Sequence, residues 1–402
     1  MPNYFYTAKS KKGGVLSGKL EAKNEMELAK ILRLKGYFLI SASLKNKRFE
    51  LKNVSFSFGV PLVEKLMFAR NLGVMISAGI DLPKALKILS LQTKNSKLKK
   101  VLISIRENIL KGKNFSESLT KYPNIFSEFF CSMVKTGEET GNLENVLKNL
   151  TLQMEKDYHL RAKIKGAMIY PAVIMLTMSG IGILMLTMVI PKLAATFEEL
   201  NLELPATTQA IIFIGYFLKE KWYLFILFTI VFLYLFLTFA RTKKGKRIID
   251  SLILKLPIIS PIVKKTNAAY VTRTLSSLMA SGVPIVKSLR ITSKVLENSL
   301  FRESLSNAAN KVKKGEKLSD ALEPYQNLYP ISVIQMIKVG EETGETSNIL
   351  EKLADFFEEE VSNATENMTD VIEPILIVVI GIVVGFFAVS MIQPMYSMLG
   401  GV

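Results

Sequence analysis

Displaced by 203 residues, the chain matches itself without a gap, so a single structural unit has to be stable twice in one molecule. Arg70 falls on Arg273, Leu72 on Leu275, Gly79 on Gly282, Lys84 on Lys287, Leu86 on Leu289, Gly112 on Gly315, Ser116 on Ser319 and Leu119 on Leu322. The densest block is GEETG, at 137–141 and again at 340–344. Farther on, Pro171 meets Pro374 and Pro191 meets Pro394, so each copy joins a polar half to an apolar segment.

The apolar segments set the medium. Residues 168–190 carry no charge, 222–240 carry none, and none occurs from Pro374 onward. A helix needs about 20 such residues to cross the hydrocarbon core. The second of these runs has no partner in the duplication and joins the halves; the apolar stretch at 210–218 extends it upstream. Its C-terminal flank, RTKKGKR at 241–247, is dense in cations, whereas the connector ahead of it has Lys192 against Glu198, Glu199 and Glu203. Basic flanks stay inside, which puts the connector outside and the polar halves in the cytosol. No apolar run follows a basic start within residues 1–50, so a cleaved signal peptide is not expected and the N-terminus is expected to be cytosolic. The net charge of +17 then suits an anionic inner leaflet, without a need for nucleic acid.

Inside each copy the apolar spacing is helical, as at Phe68, Leu72, Met75 and Ile76. Gly79 suits a helix end, Asp81 and Pro83 a helix start, and Ser116 the cap of a short helix; SEFFCSMVKTG is expected to stop at Gly137. Residues 1–44 read as strand-like YFYTAKSKKGGVLSGKLEA followed by a helix from Asn24, with Glu27 at capping-box spacing, to Gly36. The expected fold is mainly α: a polytopic membrane protein with two homologous cytosolic helical-bundle domains, at 61–167 and 264–370, and three transmembrane helices, at 168–190, 210–240 and 371–393. A small N-terminal α+β module (1–44), a linker (45–60), an outer connector (191–209), a basic cytosolic connector (241–263) and a short outer tail (394–402) complete it.

Chemistry-bearing patterns are sparse. With one cysteine, Cys131, and one histidine, His159, neither a disulfide framework nor a Cys/His metal site can form within the chain. GGVLSGK at 13–19 resembles a phosphate-binding loop, but Leu20 stands where the magnesium hydroxyl belongs and the pattern continues extended, as in a hairpin. In GEETG the residues Gly137, Gly141, Gly340 and Gly344 suit helix turns, while Glu138 and Glu341 are either caps or points of contact with a partner. Gly381 and Gly385 form a GxxxG that permits close helix packing, against the other spans or a second copy. Glu373 lies at the membrane edge beside Pro374. No chain of buried acids and cations crosses the spans, which disfavours a small transporter relative to a membrane scaffold.

FARNLGVMISAGIDLPKAL at 68–86, its copy VTRTLSSLMASGVPIVKSL at 271–289, the two GEETG blocks and the prolines opening the first and third spans together resemble the type II secretion system F family, which includes the platform proteins of type IV pilus assembly. The resemblance covers nearly the whole chain, including YFYTAKSKKG and LRLKGYF near the N-terminus. It implies a multi-pass protein of the bacterial inner membrane that is not an enzyme and holds no cofactor. Its implied partners are a hexameric assembly or secretion ATPase, pilin-like subunits, other inner-membrane assembly proteins and further copies of itself, with no nucleic acid. The same platform design serves pilus assembly, secretion and DNA uptake. The residues it carries over as structural or contact positions are Arg70, Gly79, Glu138, Gly141, Arg273, Gly282, Glu341 and Gly344. Beyond the second GEETG the copies diverge, ETSNIL against NLENVL, which implies different partners for the two.

Overall fold

A computed structural model describes residues 3–10, 15–44, 59–199 and 206–399. Contacts divide the chain into two units, 1–58 and 59–402. In the first, strands β1 (Asn3–Ser10), β2 (Val15–Glu21) and β3 (Tyr37–Leu44) form an antiparallel sheet in the order β2-β1-β3, crossed by helix α1 (Glu25–Leu34). Asn24 caps α1 by accepting from the Glu27 amide at 2.9 Å, and the Glu27 carboxylate reaches back to the Lys23 amide at 2.6 Å. Tyr4, Ala8, Ala22, Leu28 and Leu32 make its core. The would-be phosphate loop runs into β2, where Gly18 lies opposite Tyr6 and has no space for a Cβ beneath that ring; its first residues, like the linker at 45–58, lie outside the described part.

The first copy contains α2 (Leu62–Ser77), α3 (Leu82–Gln92), α4 (Ser96–Leu110), α5 (Phe115–Thr120), α6 (Glu128–Glu139) and α7 (Leu143–Ala167). Side chains start these helices: Asp81 accepts from the Lys84 amide, Asn95 from those of Lys97 and Leu98, and Ser127 from that of Phe130. Gly79, Gly112 and Gly141 end α2, α4 and α6 with left-handed backbone, which costs a glycine little. Two expectations change here. Asn114, not Ser116, stands at the start of α5, and α6 runs past Gly137 to Glu139.

From α7 the helical path continues as α8 (Ile169–Leu184), a π-helical turn (Met185–Val189) and α9 (Ile190–Glu199). Its irregularities have causes. Pro171 has no N–H for the carbonyl four residues back, and the path is interrupted at Met168; Pro191 follows the π turn in the same way. Helix α10 (Ala206–Glu220) packs on that turn, where Gly215 comes so near the Leu186 carbonyl that a Cβ would sit 2.5 Å from it. Helix α11 (Trp222–Arg241) is separate, so the single helix expected over 210–240 is two. Lys219, Glu220 and Lys221 sit at the break, and their desolvation would oppose a continuous apolar helix. The 20 residues of α11 suffice alone for one crossing.

The expected basic connector is folded. Thr242 caps α12 (Lys243–Ile253), and Asp250, buried on it, accepts from the Ser299 amide at 2.7 Å and so anchors it to the second copy. That copy comprises α13 (Ile259–Ala280), α14 (Ile285–Val295), α15 (Ser299–Val312), α16 (Leu318–Leu322), α17 (Ile331–Thr343) and α18 (Thr346–Leu399), the last of 54 residues and about 80 Å. Gly282, Gly315 and Gly344 repeat the left-handed positions of the first copy. Leu72, Leu86 and Leu119 and their counterparts Leu275, Leu289 and Leu322 are all fully buried, each contributing about 1.5–3 kcal/mol. The cores differ in compensated pairs. Phe126 packs between the rings of Phe68 and Phe130, whereas its counterpart Tyr329 has a buried hydroxyl that meets Ser304 at 2.8 Å, where the first copy has Val101.

Candidate functional site: the duplicated motifs and the contact between copies

Helix α5 has six residues and is too short to be stable by itself. The Glu138 carboxylate, projecting from α6, accepts the first free amides of α5, those of Phe115 and Ser116 (3.1 Å), and the Ser116 hydroxyl at 2.6 Å. Glu341 does the same for Leu318 and Ser319 on α16, at 3.0 Å from the Ser319 amide and 2.7 Å from its hydroxyl. These are N-caps supplied from another helix, charge-assisted and half-buried. The neighbouring Glu139 and Glu342 point outward.

The glycines of the motif divide their work. A Cβ on Gly137 would stand 3.0 Å from Val146 and 3.1 Å from the Leu143 backbone, and one on Gly340 would stand 2.9 Å from the Thr346 backbone. These glycines let α6 pack against α7, and α17 against α18, across a tight turn. Gly141 and Gly344 supply the left-handed residues that make the turn. Only the second glycine of each block ends a helix, not both.

Arg70 on α2 pairs with Glu155 on α7, and Arg273 on α13 with Glu358 on α18 at 2.8 Å. The two ion pairs are related by the same displacement of 203 and brace the same helix pair in each copy. Arg273 also binds Asp355, and Lys156 of the first copy reaches Asp355 and Glu358, both at 3.1 Å. Burial favours the neutral acid at Asp355, but Arg273 and Lys156 outweigh it and hold the carboxyl below its usual range. The carboxylate partners escape a motif search because they lie far along the chain; the signal is that an acid recurs the same distance after each arginine.

Lys156 belongs to a wider contact between the copies. Glu128 on α6 meets Lys294 at the end of α14 at 2.7 Å, Gln153 meets Ser277 at 3.0 Å, and Asp157 accepts from the Tyr270 hydroxyl at 2.6 Å. Arg161 closes on Asp157 at 2.8 Å and Glu297 at 3.3 Å. Burial, then the Asp157 charge, pushes the Tyr270 hydroxyl far above its ordinary range, so it stays protonated and donates. Between these contacts Leu278, Val283 and Ile291 of the second copy are buried with the core of the first. A cavity of about 860 Å³ beside them is lined by Lys65, Arg161, Met168, Lys246 and Lys294, among others. Of its charged groups, Arg161 is tied to Asp157 and Glu297, and Lys294 to Glu128.

Gly381 and Gly385 lie on an exposed face of α18, with nothing of the described chain within 4 Å of where a Cβ would be. The GxxxG therefore does not pack against the other described spans. Three helices are long and apolar enough to cross a membrane: Leu143–Thr196, Trp222–Arg241 and Thr346–Ser390, their apolar windows almost wholly unburied within the chain.

Comparison with known proteins accords with this architecture. The family described as "Type II secretion system (T2SS), protein F" matches twice, over residues 68–191 and 271–394, and its N-terminal domain matches residues 1–43. The chain is 33% identical over 402 residues, 100% of it and 99% of the relative, to "Type IV pilus assembly protein PilC" of Thermus thermophilus. It is 32% identical over 356 residues, 88% of it and 91% of the relative, to "Type II secretion system protein F" of Aeromonas hydrophila. With both copies, the N-terminal module and the membrane-spanning helices matched, this membrane protein belongs to the type II secretion system protein F family.

Proposed function

We propose that the chain is the non-enzymatic inner-membrane platform of a type IV pilus or type II secretion machine, coupling a cytosolic hexameric ATPase to the extraction and polymerisation of pilin-like subunits. The observation that carries the reading is the end-to-end match to a pilus-assembly protein, with both copies and the N-terminal module included. The duplicated halves and the N-terminal module are cytosolic in this reading, because RTKKGKR flanks the second span. The ATPase, the pilin-like subunits and other inner-membrane assembly proteins are its partners.

The mechanical part rests on continuity. Helix α18 leads from the second helical bundle through the third span as one rod, and α7 leads into the first span through an interruption at Met168. A rotation imposed on the bundles by the ATPase reaches the bilayer through these helices, where it lifts a subunit. Deleting the chain in its own cell tests the reading: loss of surface fibres or secreted protein with the ATPase and pilin-like subunits still made supports it, and normal assembly overturns it.

A further inference from the structure

The cavity between the copies has walls from two helices that meet the bilayer beside it. One wall is Ile164, Lys165 and Met168, where α7 gives way to the first span; the other is Lys246, Asp250 and Ile253 on α12, which begins directly after the second span. The cavity therefore reaches the membrane edge. Helix α12 turns Gly245, Lys246, Ile249, Asp250 and Ile253 toward the protein, whereas Ile248 and Leu252 on its other face, and Leu256 and Ile259 just beyond it, are 41–61% exposed. Lys243, Lys244, Arg247 and Lys255 flank that apolar face. An apolar face edged with cations, on a helix that starts where a span ends, is the pattern of a helix lying in the bilayer surface.

Inside the cavity the charges are unevenly committed. Every acid of the lining has a partner: Glu128 has Lys294, Asp157 has Arg161 and Tyr270, Glu297 has Arg161, and Asp250 has the Ser299 amide. Of the cations, Lys65, Lys165 and Lys246 have neither an ion pair nor a hydrogen bond among the described residues. The Thr266 hydroxyl, in the same lining, is buried and has no hydrogen-bond partner there either. Burial, then the charge of Lys97, holds the Lys65 ammonium below its usual range, which a bound anion would reverse. Between these groups the wall is apolar, with Leu62, Ile125, Phe129, Met154 and Val263. The volume of about 860 Å³ is ample for a small amphiphilic ligand.

We propose that this cavity binds one anionic phospholipid, its phosphate held by Lys65, Lys165 and Lys246 with the Thr266 hydroxyl as a further donor, and its acyl chains passing Met168 into the bilayer. A basic pocket at the cytosolic membrane surface is suited to such a headgroup. A soluble anion would use the lysines and leave the apolar wall and the exposed Met168 without a purpose; a lipid uses both. The site draws on both copies, Lys65 and Lys165 from the first and Thr266 from the second, with Lys246 from the helix between them. Bound there, the lipid fills the gap between the bundles at the level where they meet the membrane.

The assignment stands on the cavity and the spans and not on the proposed machine, so it is tested on the full chain, purified in mild detergent and freed of native lipid. Phosphatidylglycerol and phosphatidylethanolamine with the same acyl chains are offered in equal amounts, and native mass spectrometry reads what the chain retains. The expected result is preferential retention of phosphatidylglycerol, lowered about fivefold or more by combined Lys65→Gln, Lys165→Gln and Lys246→Gln. Combined Lys99→Gln, Lys100→Gln and Lys111→Gln removes the same charge outside the cavity and is expected to change nothing. Lys165→Gln alone, at an exposed position, is expected to weaken retention without lowering the melting temperature, which separates loss of the site from loss of the fold. Phosphatidylglycerol is expected to raise that temperature, and inorganic phosphate at equal concentration to leave it unchanged. Equal retention of the two lipids, equal loss in both triple variants, or equal stabilisation by inorganic phosphate overturns the proposal.

Discussion

Glu138 and Glu341 show how a short motif conceals its purpose. The sequence makes them stand out as repeated acids, and it leaves caps and partner contacts equally open. What decides between them is the position of Phe115, Ser116, Leu318 and Ser319, more than 20 residues earlier, whose amides the carboxylates accept. Replacing Glu138 or Glu341 with Ala is expected to destabilise its helical bundle by about 2 kcal/mol, since each loses charge-assisted bonds to amides that have no other helix partner. Replacing the exposed Glu139 or Glu342 is expected to cost less than about 0.5 kcal/mol. Limited proteolysis of the detergent-solubilised full chain, read as cleavage within 115–139 or 318–341, separates the two. Equal protection in all four variants would contradict the capping role. The reading of Ser116 as the cap of α5 failed for the same reason: its hydroxyl serves Glu138, and Asn114 precedes the helix.

Among the elements, those with strong local signals were legible. The left-handed Gly79, Gly112 and Gly141 and their counterparts mark helix ends by the cost of a Cβ in that conformation, and Asp81 marks a start by its carboxylate. Elements defined by distant partners were not. Strand β3 exists because β1 offers it an edge; α12, which read as a basic connector, is ordered by the bond from the Ser299 amide to Asp250; and α10 parts from α11 because three charges resist burial in lipid. The braces between elements are unequal in consequence. Arg273 and Glu358 are nearly buried and joined by Asp355 and Lys156, whereas Arg70 is half exposed beside Glu155. Arg273→Gln is therefore expected to cost about 2–3 kcal/mol and to loosen α13 from α18, and Arg70→Gln less than about 1 kcal/mol. Hydrogen exchange along α13 and α2 measures both; an equal effect would show that burial does not set their strength.

The molecule as a whole was legible in its duplication, its three spans and its family, because each rests on composition or on internal identity. How the copies meet was not. A displacement of 203 says that the two are alike, while the contact joins unlike faces, Glu128 to Lys294 and Asp157 to Tyr270, whose pairing no alignment of the copies reveals. That contact makes the two bundles one body from which α7 and α18 enter the membrane side by side. In the proposed function this body stands between a motor and the subunits it lifts. Mild detergent extraction of a tagged copy at native abundance, with mass spectrometry of what copurifies, tests it most directly. A hexameric ATPase together with pilin-like subunits is the expected result; recovery of the chain with neither would contradict the platform role.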